Sequence, residues 1–526
     1  DPLPPPLPKK QLQRAESLPE KGPSQPCRGD PTPWASSIFY SIPPPHLRHE
    51  EGAPSSIPPR DRPSWAPKKP LTKSQSLGEP VPRRSPQKAP WPSPAELTFG
   101  MADGELGPLL ESPAGAGGLL LGCQVATLVR LSARIQEELV GPEERQQLLE
   151  AELAGKSWAA LSILSREPCC ESGDAWYYCV GFAFEQTQLV LAAKVPKLCC
   201  VSPGVQSSLG AHCNIQRLIG RISSHLPLEL VLPGSPGEQS QSPSGEEPAH
   251  LATRPALQVL ISPDVPYQTL AAFVKESHGL HRTSPGHYER LACLLLLQVC
   301  MGLEHLRGQN LGQGDLCPEN LLLVQCPCPP RSQQGKEAPL GLSLPRLLIS
   351  SFFKVQDKRR PCSTSQEQDW SEGLAAPASL LANELNVGML IYQILHVDIS
   401  LEKALGFRSN RLPEIPSLSI YSTGLKRLAT LLLHRDPSKR VSTEQARSIL
   451  QVLLWGPRQE LFARSKKTLA LLRSWVEMKR ALLLLKFAEN SAGAVGSPGL
   501  EEWLCCQYFK EVTEHTLYQV TQALYT

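Results

Sequence analysis

Two polar residues five positions apart, Asp315 and Asn320, sit in the string Gly314-Asp315-Leu316-Cys317-Pro318-Glu319-Asn320, just ahead of the apolar run Leu321-Leu322-Leu323. An Asp in such a loop can accept a proton from a hydroxyl, and an Asn at this spacing can hold a divalent metal. A third residue, Lys194, closes the β-rich run Leu189-Val190-Leu191-Ala192-Ala193 and would bring an ammonium to phosphate. Together the three suit phosphoryl transfer, in which positioning and charge neutralisation do most of the work. That reaction also wants a metal-binding carboxylate. After the apolar run Leu347-Leu348-Ile349 the sequence reads Ser350-Ser351-Phe352-Phe353. A neutral hydroxyl is a poor ligand for Mg²⁺.

The string from Gly314 to Leu323 resembles the catalytic loop of protein kinases. Leu432-Leu433-His434-Arg435-Asp436-Pro437-Ser438-Lys439-Arg440-Val441-Ser442 is similar to a motif late in the larger kinase lobe. Asn383 to Leu395, with Gly388 and Tyr392, resembles the helix buried at that lobe's centre. All occur in the kinase order, which implies an α+β, two-lobed protein-kinase-like fold. The departures remove the chemistry. No G-x-G-x-x-G precedes Lys194, and neither Gly173 nor Gly181 has that spacing; Gln313-Gly314 and Cys317 replace the loop's usual basic residues. In the kinase pattern Ser351 stands where the metal-binding Asp belongs, and Phe353 replaces the flexible Gly that follows it. Residues 211–218 resemble the helix whose Glu pairs the Lys, but offer Gln216 instead. Ala376-Pro377-Ala378 reads as a relic of A-P-E, which would leave Arg440 without its carboxylate. Lys194, Asp315, Asn320 and Ser351 are therefore expected to be positional remnants, with no catalytic residue, no metal and no cofactor. The alternatives are an atypical active kinase, or an ATP-binding sensor, using Lys194, Asp315 and Asn320.

What must position these residues is legible in composition and periodicity. Of the chain's 53 prolines, 25 fall in the first 100 residues among many Ser, Lys and Arg, so residues 1–118 are predicted to be a disordered proline-rich leader. Leu121, Val125, Leu128, Ile135 and Leu139 line one face of a helix that Gly141-Pro142 breaks, giving helices over 119–155. Strands are expected from Tyr177 to Val195 and after Leu257, then helices near Tyr267–Lys275, Tyr288–Leu306 and from Leu380 onward, so 156–455 forms the kinase-like domain. Apolar positions Leu472, Trp475, Leu482 and Leu485 recur through a last helical region, 456–526. Two polar inserts, 233–250 and 325–341, read as exposed loops. A net charge of +3 without a basic, aromatic-interleaved stripe gives no reason to expect nucleic acid. The apolar run near Leu291–Leu303 is too short to insert in a bilayer. Sixteen cysteines, several adjacent to one another, suit a reducing cytoplasmic setting better than a disulfide framework. The chain begins at Asp1 rather than Met, and an upstream segment is expected.

Pro5-Pro6-Leu7-Pro8-Lys9-Lys10, Lys194, Asn214-Ile215-Gln216, Leu484-Leu485-Lys486-Phe487-Ala488-Glu489 and Glu502-Trp503-Leu504-Cys505-Cys506-Gln507-Tyr508 resemble the PEAK/Pragmin group of pseudokinase scaffolds, and the short leader its smallest member. The resemblance implies that helices before and after the pseudokinase domain form a split dimerisation module, with Leu128, Ile135, Trp475, Leu482, Ala488 and Cys506 as candidate contacts. It further implies homodimers and family heterodimers, adaptor signalling in cytoskeletal organisation and cell motility, and association with cytoskeleton or adhesions.

Within the leader, Pro5, Leu7, Pro8 and Lys10 form P-x-L-P-x-K, which resembles ligands of Crk-type SH3 adaptors: the prolines share one face of a polyproline II helix and Lys10 meets the acidic end of the groove. Arg14, Ser17 and Pro19 resemble a 14-3-3 phosphoserine site, with a weaker copy at Ser76. Tyr40-Ser41-Ile42-Pro43 fits an SH2 ligand.

Overall fold

The computed structural model describes residues 99–197, 212–224, 257–313, 316–326, 344–354, 382–396, 414–463, 466–492 and 498–525. The SH3, 14-3-3 and SH2 motifs, Asp315, the A-P-E relic and most of the two polar inserts lie outside the described residues.

Three helices lead in: α1 (Asp103–Glu111), α2 (Pro113–Val140) and α3 (Glu143–Leu153). Pro113 begins α2 behind the cap Ser112, and Gly141, at φ 82°, ends it. A strand layer follows. β1 (Ser162–Ile163), β2 (Cys170–Glu171), β3 (Ala175–Phe184), β4 (Thr187–Pro196), β5 (Gly220–Ser224) and β6 (Leu257–Ser262) build one antiparallel sheet in the order β1-β3-β4-β6-β5, with β2 also on β3. Alternation places Tyr178, Val180, Phe182 and Phe184 on one face, where Leu149 and Leu153 of α3 join their cluster. This is the smaller lobe.

The larger lobe is mostly helical. After β7 (Pro266–Thr269) come α4 (Leu270–Glu276), α5 (His278–Thr283) and α6 (Pro285–Gly308). Sixteen of the residues of α6 are buried, because helices pack around it rather than on one side. Short strands β8 (Leu311–Gln313), β9 (Leu321–Val324), β10 (Arg346–Ile349) and β11 (Phe352–Lys354) carry the cleft residues; β9 pairs with β7 and β10, and β8 with β11. Then come α7 (Ala382–Leu395), α8 (Ser422–Leu432), α9 (Thr443–Trp455) and the short α10 (Glu460–Ala463). The chain closes with α11 (Leu469–Ala492), α12 (Leu500–Glu511) and α13 (Glu514–Tyr525). Two elements here differ from the sequence reading: residues 103–118, expected as part of the disordered leader, carry α1 and the start of α2, and Tyr267 lies on strand β7, paired with β9 through a bulge, not at the start of a helix.

The helices that bracket the lobes pack on each other. Leu128, Ile135 and Leu139 of α2 share one buried cluster with Leu472, Val476, Leu483 and Phe487 of α11 and with Trp503, Leu504 and Cys506 of α12. The cluster is continuous with the core around α6. Arg480 is buried there and donates from Nε to the Phe509 carbonyl at 2.7 Å and from Nη2 to that of Val512 at 2.8 Å, so a guanidinium closes the C-terminal end of α12. Arg290 of α6 pairs with Glu501 of α12, and Arg447 of α9 sits between Glu304 of α6 and Glu511 of α12.

Candidate functional site

The cleft is built by the β3–β4 hairpin above and by β9, β10 and the turn before β9 below. Hairpin register pairs Tyr177 with Lys194 and Ala175 with Pro196, so the turn preceding β3 lies beside the end of β4. That turn is Ser172-Gly173-Asp174, where a kinase would carry its phosphate-covering loop. Here it is short and folds inward. Asp174 Oδ2 accepts from Lys194 Nζ at 2.9 Å, and Asp174 Oδ1 accepts from the Ser172 hydroxyl at 2.6 Å. Lys194 Nζ also donates to the Ser350 carbonyl at 3.2 Å and lies 5.8 Å from the centre of the Tyr177 ring.

The electrostatics agree from both partners. Burial alone would push the Asp174 carboxyl up, yet the Lys194 ammonium and the Ser172 hydroxyl hold it below the usual carboxylate range. Burial alone would lower Lys194, yet Tyr177 and Asp174 raise it. Lys194 is thus a buried cation with a partner from its own chain. A phosphate would have to displace that partner.

The lower wall closes the same space. The Gly173 N–H donates to the Glu319 carbonyl at 3.3 Å, and a Cβ on Gly173 would stand 2.7 Å from Asn320 Oδ1. The bare glycine lets the turn rest on Asn320, the remnant of a metal-binding position. Asn320 is largely buried, and its carbonyl accepts from the Ser350 hydroxyl at 3.1 Å. Ser351, the next residue after Ser350, is half-buried. Phe352 and Phe353 continue as β11 in register with Gln313 and Gly312, so the segment is a strand that has no use for glycine at 353. The structure brings Lys194 and Asn320 together through Ser350, next to Ser351 in the chain, and Asp174 takes the Lys194 ammonium.

Sequence reasoning missed Asp174. The signal was present: an acid follows Gly173, three residues before the strand position that faces Lys194. Gln216 was misassigned. Residues 212–219 hold no helix but a turn and an isolated bridge from Ile215 to Ile349, and the Gln216 N–H donates to the Ile349 carbonyl at 3.0 Å. The His-Cys-Asn-Ile string is a loop anchored by Asn214, whose Nδ2 donates to Gln298 at 2.9 Å and to the Leu347 carbonyl at 3.1 Å. Arg440, expected to have lost its carboxylate partner, donates to the carbonyls of His434 and Arg435.

The dimerisation candidates divide into two sets. Leu128, Ile135 and Cys506 are buried within the chain, so they hold the helical module together. Trp475 is half-buried, its ring 6.2 Å from that of Phe509. Leu482 and Ala488 are exposed. Met478, Leu482 and Leu485 recur at four and three residues along α11 and are 66%, 53% and 58% exposed, so α11 is apolar on two faces and buries one.

A kinase fold whose lysine is paired with its own loop and whose metal carboxylate is a serine defines a pseudokinase. No family model matches the chain. It is 34% identical over 463 residues to the inactive tyrosine-protein kinase PRAG1 of Rattus norvegicus, covering 79% of this chain and 33% of that protein. It is also 34% identical over 422 residues to the inactive tyrosine-protein kinase PEAK1 of Mus musculus, covering 70% of this chain and 24% of that protein. The crystal structure of the pseudokinase PEAK1 matches with a TM-score of 0.59 at 31% identity, over 78% of this chain and 100% of that one. The chain belongs to this PRAG1 and PEAK1 family of inactive kinase homologues. It spans a third or less of the length of these curated relatives.

Proposed function

We propose that this pseudokinase is a dimeric signalling scaffold, cytoplasmic and acting in cytoskeletal and cell-motility signalling. Its helical module pairs two copies, or one copy with a family member, and its leaders recruit Crk-type SH3 adaptors through Pro5, Leu7, Pro8 and Lys10. Phosphorylation of Ser17, set between Arg14 and Pro19, brings 14-3-3 and restrains the scaffold. The observation that carries this reading is the exposed stripe Met478, Leu482 and Leu485 on a helix whose opposite face is already buried. Covering three half-exposed side chains contributes about 1 kcal/mol each, roughly 6 kcal/mol over two copies. Association costs about 4–15 kcal/mol, so more surface must join. Leu120 and Val129 of α2, 62% and 47% exposed, supply candidates. By length and composition the stretch Gly115–Leu153 also passes as a membrane span, with 11% of its most apolar window buried; its packing on α11 and α12 favours a protein partner instead.

The rival readings, an atypical kinase or an ATP sensor, both need Lys194, which Asp174 already holds. Adaptor capture from cells separates them from the scaffold. Lys10→Glu should abolish it, Leu482→Glu should weaken it because two leaders no longer act together, and Asp315→Asn should leave it unchanged. Loss of capture in Asp315→Asn alone would overturn the scaffold in favour of residual chemistry.

A further inference from the structure

Two cysteines meet on the face of the smaller lobe's sheet that carries Lys194. Alternation along β3 puts Cys179 on the same face as Ala175 and Tyr177, and the register sets it opposite Ala192 of β4. Ala175, Tyr177 and Ala192 form one buried cluster with Cys170 of β2, and Cys169, just ahead of that strand, packs against it. Cys169 is fixed there by the Tyr177 carbonyl, which accepts from its N–H at 2.8 Å and from its thiol at 3.2 Å. The Cys169 thiol also lies against that of Cys179. The loop running from β1 to Cys169 is tied at its other end to the same residue, where the Leu164 N–H donates to the Cys179 carbonyl at 3.0 Å. Cys169 and Cys179 are both half-buried, so a small solute reaches them, whereas Cys170 is buried. Exposure alone does not single them out, since Cys123, Cys317, Cys326 and Cys505 share it. What does is that each has a second half-buried thiol in contact, on a common face. Between them in sequence lies the turn Ser172-Gly173-Asp174, which holds Lys194.

We propose that Cys169 and Cys179 are a redox-responsive pair, which a hydroperoxide joins into a disulfide that closes a ring around the Asp174 turn. Burial pushes the Cys169 thiol up, and the Cys179 thiol beside it adds to this, so Cys169 is the resolving thiol and not the first to react. In the first step the Cys179 sulfur, having lost its proton, attacks one peroxide oxygen. The O–O bond breaks, the far oxygen leaves with a proton as water, and Cys179 becomes a sulfenic acid. In the second step the Cys169 sulfur attacks the Cys179 sulfur. The S–S bond forms as the S–O bond breaks, and hydroxide leaves with the Cys169 thiol proton as a second water. Two thiols are oxidised and one hydrogen peroxide is reduced. The bond ties the start of β2 to β3 and restrains the turn from which Asp174 reaches Lys194. The inference does not depend on dimerisation.

The test treats the reduced, folded full chain with hydrogen peroxide, alkylates the remaining thiols and maps peptides by mass spectrometry without reduction. A peptide linked through Cys169 and Cys179 should appear and should vanish on treatment with dithiothreitol. In Cys169→Ser the linked peptide should be absent and Cys179 should go on to sulfinic acid, because nothing resolves the sulfenic acid. Both thiols alkylated in the treated parent, either one linked to Cys170 instead, or equal sulfinic acid at Cys179 in parent and Cys169→Ser would overturn the pair. Hydrogen exchange over residues 170–177 reads the effect on the turn. It should slow about fivefold in the oxidised parent and recover on reduction. Exchange unchanged by a disulfide that has demonstrably formed would overturn its hold on the Asp174 turn.

Discussion

Removing the carboxylate of Asp174 should cost more than removing both members of its pair. The Lys194 side chain is 4% exposed and that of Asp174 17%, with 2.9 Å between Nζ and Oδ2. At an effective dielectric of about 20 the gross attraction at that distance is roughly 6 kcal/mol, and desolvation offsets much of it. Asp174→Asn leaves a buried ammonium without its counter-charge, a situation that costs about 3–5 kcal/mol. The assay is a double-mutant cycle by urea unfolding with Asp174→Asn, Lys194→Met and both together. The folded-state pKa of Asp174 is depressed, so its contribution is fully present above the unfolded value near 3.8 and is lost as pH falls below it. Measurement at pH 7 therefore captures the whole effect. The expected outcome is that Asp174→Asn loses about 3 kcal/mol and the double variant at most half of that. Single effects that simply add, or a silent Asp174→Asn, would refute the idea that the loop acid holds Lys194.

Two further substitutions probe the joints between the lobe and its helices. Arg480→Met strands the carbonyls of Phe509 and Val512 and should destabilise the chain by about 2–4 kcal/mol in the same urea assay, with Arg480→Lys recovering part of it. Glu304 is pushed up to about 7 by burial, which outweighs the pull of Arg447. A raised folded-state pKa gives stability that is full below the unfolded value near 4.5 and is lost as pH rises through about 7. Stability profiles from pH 4.5 to 8 should differ between parent and Glu304→Gln by up to roughly 3 kcal/mol, the variant gaining at high pH.

Much of the fold was legible because its signals are local. Gly141-Pro142 broke the leading helix between α2 and α3, and the alternation from Tyr177 to Val195 became the β3–β4 hairpin. The loss of chemistry was legible at Ser351, since a missing carboxylate needs no structure to be noticed. What filled the cleft was not: Asp174 meets Lys194 only once the hairpin register is known, twenty residues apart in sequence. Gln216 was misread because a string of mixed polar and apolar residues has no clear period, and its conformation is set by buried partners such as Gln298 and Ile349. Periodicity likewise marked α2 and α11 as apolar, and resemblance marked α12, without saying which face each keeps for its own chain. Leu128 and Cys506 face inward, whereas Met478, Leu482 and Leu485 do not.

That division supplies the most direct test of the scaffold. Leu128→Glu would place a charge in the chain's own core and confound unfolding with dissociation. Met478→Glu and Leu482→Glu place it on the exposed stripe, where the isolated chain tolerates it. Sedimentation velocity on the parent and both variants, each with an unchanged cooperative melt, decides the matter. The parent should sediment as a dimer and the variants as monomers. A monomeric parent, or variants that dimerise as tightly as the parent, would contradict the account.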